Sequence, residues 1–214
     1  MAKIHDNIES LFGGSITEEI IVEAFRVEHT EFTSHVMLSA LGDGVFISGE
    51  FNAATTDCRH AGVFQRYLYR AGGTLVAHHV RLFVEQQFRR RGLAGSHFGK
   101  LIRFYDAVGI EYVHLDAVDD GPVVWPQMGF ELNEPSDVKL LHKQFRIVMD
   151  SLGYEADPPR RAPALALYDE IEGIKVGLRS LALTYRALGE RPIPMVLDLR
   201  NADTRAFLGY RGIL

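Results

Sequence analysis

Cysteine is nearly absent from this chain and long apolar runs are absent altogether, and each scarcity excludes a class of protein. The single cysteine, Cys58, has no partner for a disulfide within the chain, and a cysteine-rich zinc site needs several thiolates. Cys58 reads as a small apolar residue, buried or half-buried, rather than as a nucleophile. No stretch approaches the roughly 20 consecutive apolar residues that cross a bilayer. The opening MAKIHDNIESLFGG scatters charges where a signal peptide would hold an apolar core. The expected location is cytoplasmic, with no membrane partner. An excess of positive charge is lacking too. The net charge is −5, so no nucleic acid is expected as a partner and any basic feature has to be local.

What is present fits an ordinary globular chain. The 214 residues are 47% hydrophobic and 24% charged, enough apolar material for a core without disulfide or metal staples. That length favours one domain, or one domain with an appendage. Residues 16–25 (ITEEIIVEAF) predict a helix with Thr17 as N-cap and Glu19 and Glu23 near its start. Residues 32–41 and 45–51 are β-rich runs joined by Gly42-Asp43-Gly44, a hairpin signal, and 63–70 and 74–84 form a second pair across Ala71-Gly72-Gly73.

The period then changes. Across residues 95–108, Phe98, Leu101, Ile102, Tyr105 and Val108 fall on one helix face, and Gly109 stands where a C′ glycine ends a helix. Residues 112–118 alternate again, with Val113, Leu115 and Ala117 on one side and His114 and Asp116 on the other. A strand–turn–helix–strand unit therefore spans 74–118 within an otherwise antiparallel sheet, an α/β (α+β) arrangement. The last third differs. Ser136 can cap a helix carrying Val138, Leu141, Phe145, Val148 and Leu152, ended by Gly153. Asp157-Pro158-Pro159-Arg160-Arg161 reads as a linker. A longer helical stretch presents Leu167, Ile171, Ile174, Leu178, Leu181, Tyr185 and Leu188 on one face, with Gly189, Pro192 and Pro194 as stops. These helices are expected to be an extension or insertion packed on the sheet, since each needs a partner for its apolar face. Residues 206–214 are expected to return as a final strand.

The most informative segment is Val84-Glu85-Gln86-Gln87-Phe88-Arg89-Arg90-Arg91-Gly92-Leu93-Ala94-Gly95. It is a strand running into a tight turn and then the N-terminus of an amphipathic helix. First-turn amides are unpaired, and the helix dipole favours a negative group there. Gly92, Ala94 and Gly95 keep side chains out of the way of phosphate oxygens. Arg89, Arg90 and Arg91 add charge-assisted donors. The same residues could also be a solvated basic turn ahead of an ordinary helix. A Rossmann site fits less well without the full G-x-G-x-x-G, and a Walker loop is excluded by the lack of Gly-Lys-Ser/Thr.

The segment resembles motif A of the GNAT N-acetyltransferases, V-x-x-x-x-[QR]-x-x-G-x-[GA], with Val84, Arg89, Gly92 and Ala94 at its four defined positions. The surroundings are similar as well: antiparallel strands before, then a helix, a strand and a closing Gly129-Phe130. The resemblance covers about residues 16–132. It implies a GNAT-like mixed, mostly antiparallel twisted sheet with flanking helices. Residues 1–132 would be the acyl-CoA-binding catalytic core and 133–214 the helical extension. It implies acetyl-CoA or another acyl-CoA as co-substrate and no metal. The pantetheine arm would lie on the backbone of Leu82, Phe83 and Val84. The pyrophosphate would lie on the amides of Arg89, Arg90, Arg91, Gly92, Leu93, Ala94 and Gly95, with Ser96 adding its hydroxyl. The acyl carbonyl would lie beside the strand at 112–118.

Such a transfer needs a base near neutral pH within reach of the amine. His78 and His79 are candidates by residue type, and His78 lies six residues before Val84, where the histone-acetylating branch of the family carries a glutamate base. Both could equally be sheet histidines, and adjacent strand residues cannot face the same cleft. Asp116, with His114 on the same face, is second choice. The family often places a tyrosine five residues before the final Phe, and that position is Trp125 here. An indole N–H donates a hydrogen bond but is no practical proton source, so Trp125 is either a cleft wall or a core residue. Pro126, next to it, would disturb the short helix found there in the family.

The resemblance thus implies an acyl-CoA-dependent N-acyltransferase, acetyl by default, acting on a primary amine of a small molecule, a peptide or a protein lysine in a ternary complex. Two alternatives stand beside it. One is a longer-chain acyltransferase, with acyl-CoA or acyl-carrier-protein donor, that modifies a peptide. The other is a non-catalytic module that binds acyl-CoA as a regulatory ligand. The last third is the expected contributor to acceptor selection or to a homodimer.

Overall fold

The computed structural model describes residues 2–54, 59–118, 121–125, 128–133 and 192–214. They form a mixed α/β fold of seven strands, mostly antiparallel, with flanking helices, the class expected from the sequence. Cys58, the two helices expected within 136–153 and 167–188, and the proline linker between them lie outside the described residues. The chain forms two compact units, Met1–Val113 with Asp198–Leu214, and His114–Leu197.

In the first unit, helix α1 (Ala2–Phe12) buries Ile4, Ile8 and Leu11. Charges interrupt its apolar stripe, so the sequence pattern does not mark it as a helix. Helix α2 (Glu18–Phe25) starts where predicted: the Thr17 hydroxyl accepts from the Ile20 amide at 3.4 Å, with Glu18 and Glu19 in the first turn. Four antiparallel strands follow in the order β1 (Phe32–Leu41), β2 (Gly44–Ala53), β3 (His60–Ala71) and β4 (Thr74–Val84). The β3–β4 turn is Gly72-Gly73 with φ of 58° and 91°, a pair of left-handed conformations that fits glycine and the twist of a tight hairpin. Helix α3 (Leu93–Ala107) buries Leu93, Phe98, Leu101, Ile102 and Tyr105, the predicted face. Phe25 meets Phe64, Phe104 and Tyr105 at ring distances of 6.3, 5.9 and 6.2 Å. Each such aromatic contributes roughly 1.5–3 kcal/mol by leaving water.

The β3–β4 ladder contains a bulge. Gln65 pairs with Arg81 and Arg66 with His79, so Val80 of β4 has no residue opposite and is 50% exposed. The guanidinium of Arg66, only 1% exposed, fills the gap in the hydrogen bonding: Nη1 donates to Gln65 O at 2.8 Å and also to Arg81 O.

The end of the chain corrects one expectation. Residues 206–214 do not form a strand. They fall largely in helix α5 (Ala202–Tyr210), whose cap Asn201 accepts from the amides of Asp203 and Thr204 at 2.8 and 3.2 Å. Thr204 and Leu208, one helical turn apart, are the buried positions. The returning strand lies earlier, at Ile193–Asp198.

In the second unit, β5 (Tyr112–Ala117, beginning in the first unit) alternates as predicted, with Leu115 and Ala117 buried and Asp116 exposed. A short helix α4 (Gly121–Val124) and a two-residue strand β6 (Glu131–Leu132) follow. Strand β7 (Ile193–Asp198) lies between β5 and β6 and pairs antiparallel with β6. Pro194, expected to be a stop, sits near the start of β7, where a strand tolerates a missing N–H. Its carbonyl accepts from the Asn133 amide at 3.2 Å.

Candidate donor-binding turn

Strand β4 ends at Val84, and a single 3-10 turn (Gln86–Phe88) leads to the arginines. Phe88 anchors this turn, 9% exposed and edge-on to Phe32 at 5.8 Å. Arg90 then adopts φ 64° and Gly92 φ 81°. For a side chain larger than asparagine the first value is uncommon and strained. Gly92 is the N-cap of α3 and supplies no side-chain cap. The first bond back to it is Ser96 N to Gly92 O at 2.9 Å. The amides of Leu93, Ala94 and Gly95 therefore precede the helical ladder and keep their donors available. A Cβ built on Gly95 would meet nothing within 4 Å.

The three arginines differ in what they do. Arg89 Nε donates to Val84 O at 2.9 Å, and its guanidinium lies 5.9 Å from the Phe83 ring, as does that of Arg81. Arg91 pairs with Glu31 at 3.2 Å and lies 5.6 Å from the Phe88 ring. Arg90 is exposed. Ser96, expected to offer its hydroxyl to a phosphate, donates it to Glu28 O at 2.8 Å. Leu82, Phe83 and Val84 are half-buried on β4, opposite Phe64, Val63 and Gly62 of β3. The alignment with Gly62 is close: a Cβ there would stand 2.1 Å from Phe83 O.

The two sheet histidines are separated by the fold. His79 is 4% exposed, and its Nε2 lies 3.1 Å from the Tyr105 hydroxyl. Burial, then the charge of Arg66 and the neighbouring histidines, holds its pKa well below the usual range. His97 of α3, 1% exposed between Phe51 and Phe64, is held well below the usual range by burial and then by the charges of Arg66 and Lys100, and neither of its ring nitrogens has a hydrogen-bond partner. Burial lowers the Arg66 pKa to about 10, partly offset by Tyr105. Burial pushes the Tyr105 phenol up. His78 is half-buried opposite Tyr67.

Asp116 and Trp125 belong to the second unit. Trp125 is half-buried, edge-on to Phe130 at 5.3 Å, and close enough to Gly121 that a Cβ there would stand 3.1 Å from the indole. Asp119, Asp120 and Pro126 lie outside the described residues.

Sequence reasoning missed His29, Glu28, Glu31 and Lys100, which surround the turn. Each arrives from about one hairpin pair away or from a later helical turn, so no local spacing marks them. Arg66 and His97 did carry a signal, since both fall on core-facing positions of their strand and helix. No protein-family model matches the sequence, and no curated protein matches it. Solved structures share parts of the fold. One is an acetyltransferase of Trypanosoma brucei (21% identity, 42% of this chain and 64% of that one, TM-score 0.37). Another is Naa50 of Arabidopsis thaliana with the bisubstrate analogue CoA-Ac-MVNAL (16% identity, 40% and 58%, TM-score 0.34). A third is a GNAT family acetyltransferase from Elizabethkingia anophelis with acetyl-CoA bound (11% identity, 50% and 80%, TM-score 0.35). The chain spans less than two thirds of the length of the first two.

Proposed function

We propose that this chain is an acyl-CoA-dependent N-acyltransferase, acetyl by default, acting on a primary amine. The observation that carries the reading is the turn itself: an uncapped α3 N-terminus behind a left-handed Gly92, with Arg89, Arg90 and Arg91 just before it. Free amides and guanidinium groups in that order suit a pyrophosphate. On this reading residues 1–132 are the catalytic core, and the backbone of Leu82, Phe83 and Val84 takes the pantetheine arm. The amine attacks the thioester carbonyl, a C–N bond forms, the C–S bond breaks, and the thiolate leaves with a proton. His78 is the proposed base, with Asp116 second, because His79 is buried against Tyr105 and its ring resists protonation. Residues 133–214 contribute to acceptor choice.

The test is calorimetric titration of CoA into wild type and Gly92→Glu. Binding to wild type and its loss in a folded Gly92→Glu protein is the expected result; no binding to wild type sinks the proposal. A second reading, a regulatory module that binds acyl-CoA without turnover, is favoured by Trp125 packing on Phe130 where the family carries a tyrosine. Release of free CoA with any member of an amine panel would exclude it.

A further inference from the structure

The segment between α2 and β1 is tied across the candidate turn. It is itself held in one shape: Val27 N–H donates to Ser34 Oγ at 2.8 Å, His29 bridges Phe32, and Ala54 N–H donates to Glu31 O at 2.8 Å. From this strap four groups reach the start of α3. Glu28 O receives the Ser96 hydroxyl, and the Glu28 carboxylate pairs with Lys100 at 2.8 Å. Glu31 pairs with Arg91. His29 Nε2 lies 2.9 Å from Arg91 O.

The histidine bond is defined at both ends. The Glu31 amide donates to His29 Nδ1 at 3.1 Å, so Nδ1 carries no proton. A carbonyl only accepts, so Nε2 carries the proton and donates to Arg91 O. The ring lies 5.0 Å from Phe32, which restricts its rotation. The Arg91–Gly92 peptide is trans, as no described peptide bond is cis. In a planar trans unit the N–H points opposite to the C=O. Holding Arg91 O toward His29 therefore aims the Gly92 N–H away from the strap. It also sets the orientation in which the amides of Leu93 to Gly95 follow.

We infer that His29 is a positioning residue for the phosphate-binding turn, acting through the Arg91 carbonyl rather than through any contact with the donor. The inference rests on the donor reading of this turn for its consequence, and on the hydrogen bonds alone for its existence. It gives the chain a determinant of donor affinity outside the motif, on an element that precedes the sheet.

The experiment compares wild type, His29→Ala and His29→Gln, each checked for folding by thermal melting. Glutamine keeps an N–H donor at about the position of Nε2. Two quantities are read: CoA affinity by calorimetry, and, without ligand, exchange of the Ser96 amide, whose bond to Gly92 O closes the first turn. Expected for His29→Ala are faster exchange at the Ser96 amide and CoA affinity weaker by about three- to tenfold, the worth of one neutral hydrogen bond. Donor KM should rise more than kcat falls. His29→Gln should recover most of both effects. Unchanged exchange and affinity in His29→Ala overturn the inference, as does equal loss in both variants. If wild type binds no CoA, the donor reading falls, and the exchange of the Ser96 amide still decides the role of His29.

Discussion

The guanidinium of Arg66 donates to the carbonyl of Arg81 across the bulge that leaves Val80 unopposed. One side chain thus supplies hydrogen where the β3–β4 ladder cannot, at the residue immediately before Leu82, Phe83 and Val84. The charge has no carboxylate partner among the described residues. Its retention inside the core is costly; the Nη1 prong of its planar fork donates to Gln65 O and Arg81 O together and offsets part of that cost, while the buried Nε has no hydrogen-bond partner.

The relationship makes an unusual ordering of variants. Arg66→Lys keeps the buried charge but replaces the fork with a compact point charge. Arg66→Met removes the charge and leaves the carbonyls without donors. We expect both to destabilise, Met by about 1–3 kcal/mol and Lys by more, because it retains the desolvation penalty. Urea denaturation at neutral pH measures the order; Lys more stable than Met would refute it.

His79 and His97 set an acid limit on stability. Both have folded pKa values well below 6.5 through burial, so both are neutral when folded and take up protons when unfolded. Below about pH 6.5 the unfolded state binds more protons, and stability falls with pH by up to about 1.4 kcal/mol per unit for each histidine. Above that pH the contribution is complete. His97→Leu should reduce the slope between pH 6.5 and 5 by the share of one group, measured by denaturation at stepped pH.

Much of this was legible in the sequence. Alternation and turn residues located β1 to β5, and the Phe98–Tyr105 spacing located α3, because half-buried elements write their period into the chain. The strand-to-helix turn at residues 89–95 was legible because Gly92 and the onset of the α3 period mark it locally. The returning strand was not. Pro192 and Pro194 read as stops, yet Ile193, Met195 and Leu197 are the buried alternation. The strap was illegible for a different reason. His29 meets Arg91 across 62 positions, and a contact that tertiary packing creates leaves no mark in spacing.

The two adjacent histidines on β4 should separate by phenotype. His78 is half-buried, whereas His79 is buried on Tyr105. With the proposed chemistry, His78→Ala should lower kcat by about a hundredfold, the scale of a general base, while CoA affinity stays near wild type. His79→Ala should instead lower stability by about 1–3 kcal/mol, through the cavity and the lost hydrogen bond. Steady-state kinetics beside urea denaturation distinguish them, and equal kcat for wild type and His78→Ala would remove His78 from the mechanism.

Glu31 should act on the donor turn with the opposite sign to His29. Its ion pair with Arg91 joins side chains that are 54% and 51% exposed, so the pair itself contributes only about 0–1 kcal/mol to folding. Its carboxylate nevertheless stands beside the turn proposed to receive a pyrophosphate, and it competes with phosphate oxygens for the same guanidinium. Glu31→Gln keeps the backbone N–H that fixes the His29 tautomer and removes only the negative charge. We expect the melting temperature to change little, and CoA affinity to rise several-fold at low ionic strength. The gain should shrink as salt screens the turn over about 10 Å or less. Calorimetric titration of CoA at two salt concentrations measures this. Affinity that falls in Glu31→Gln would mean that the Glu31–Arg91 pair orders the arginine for the donor instead of competing with it.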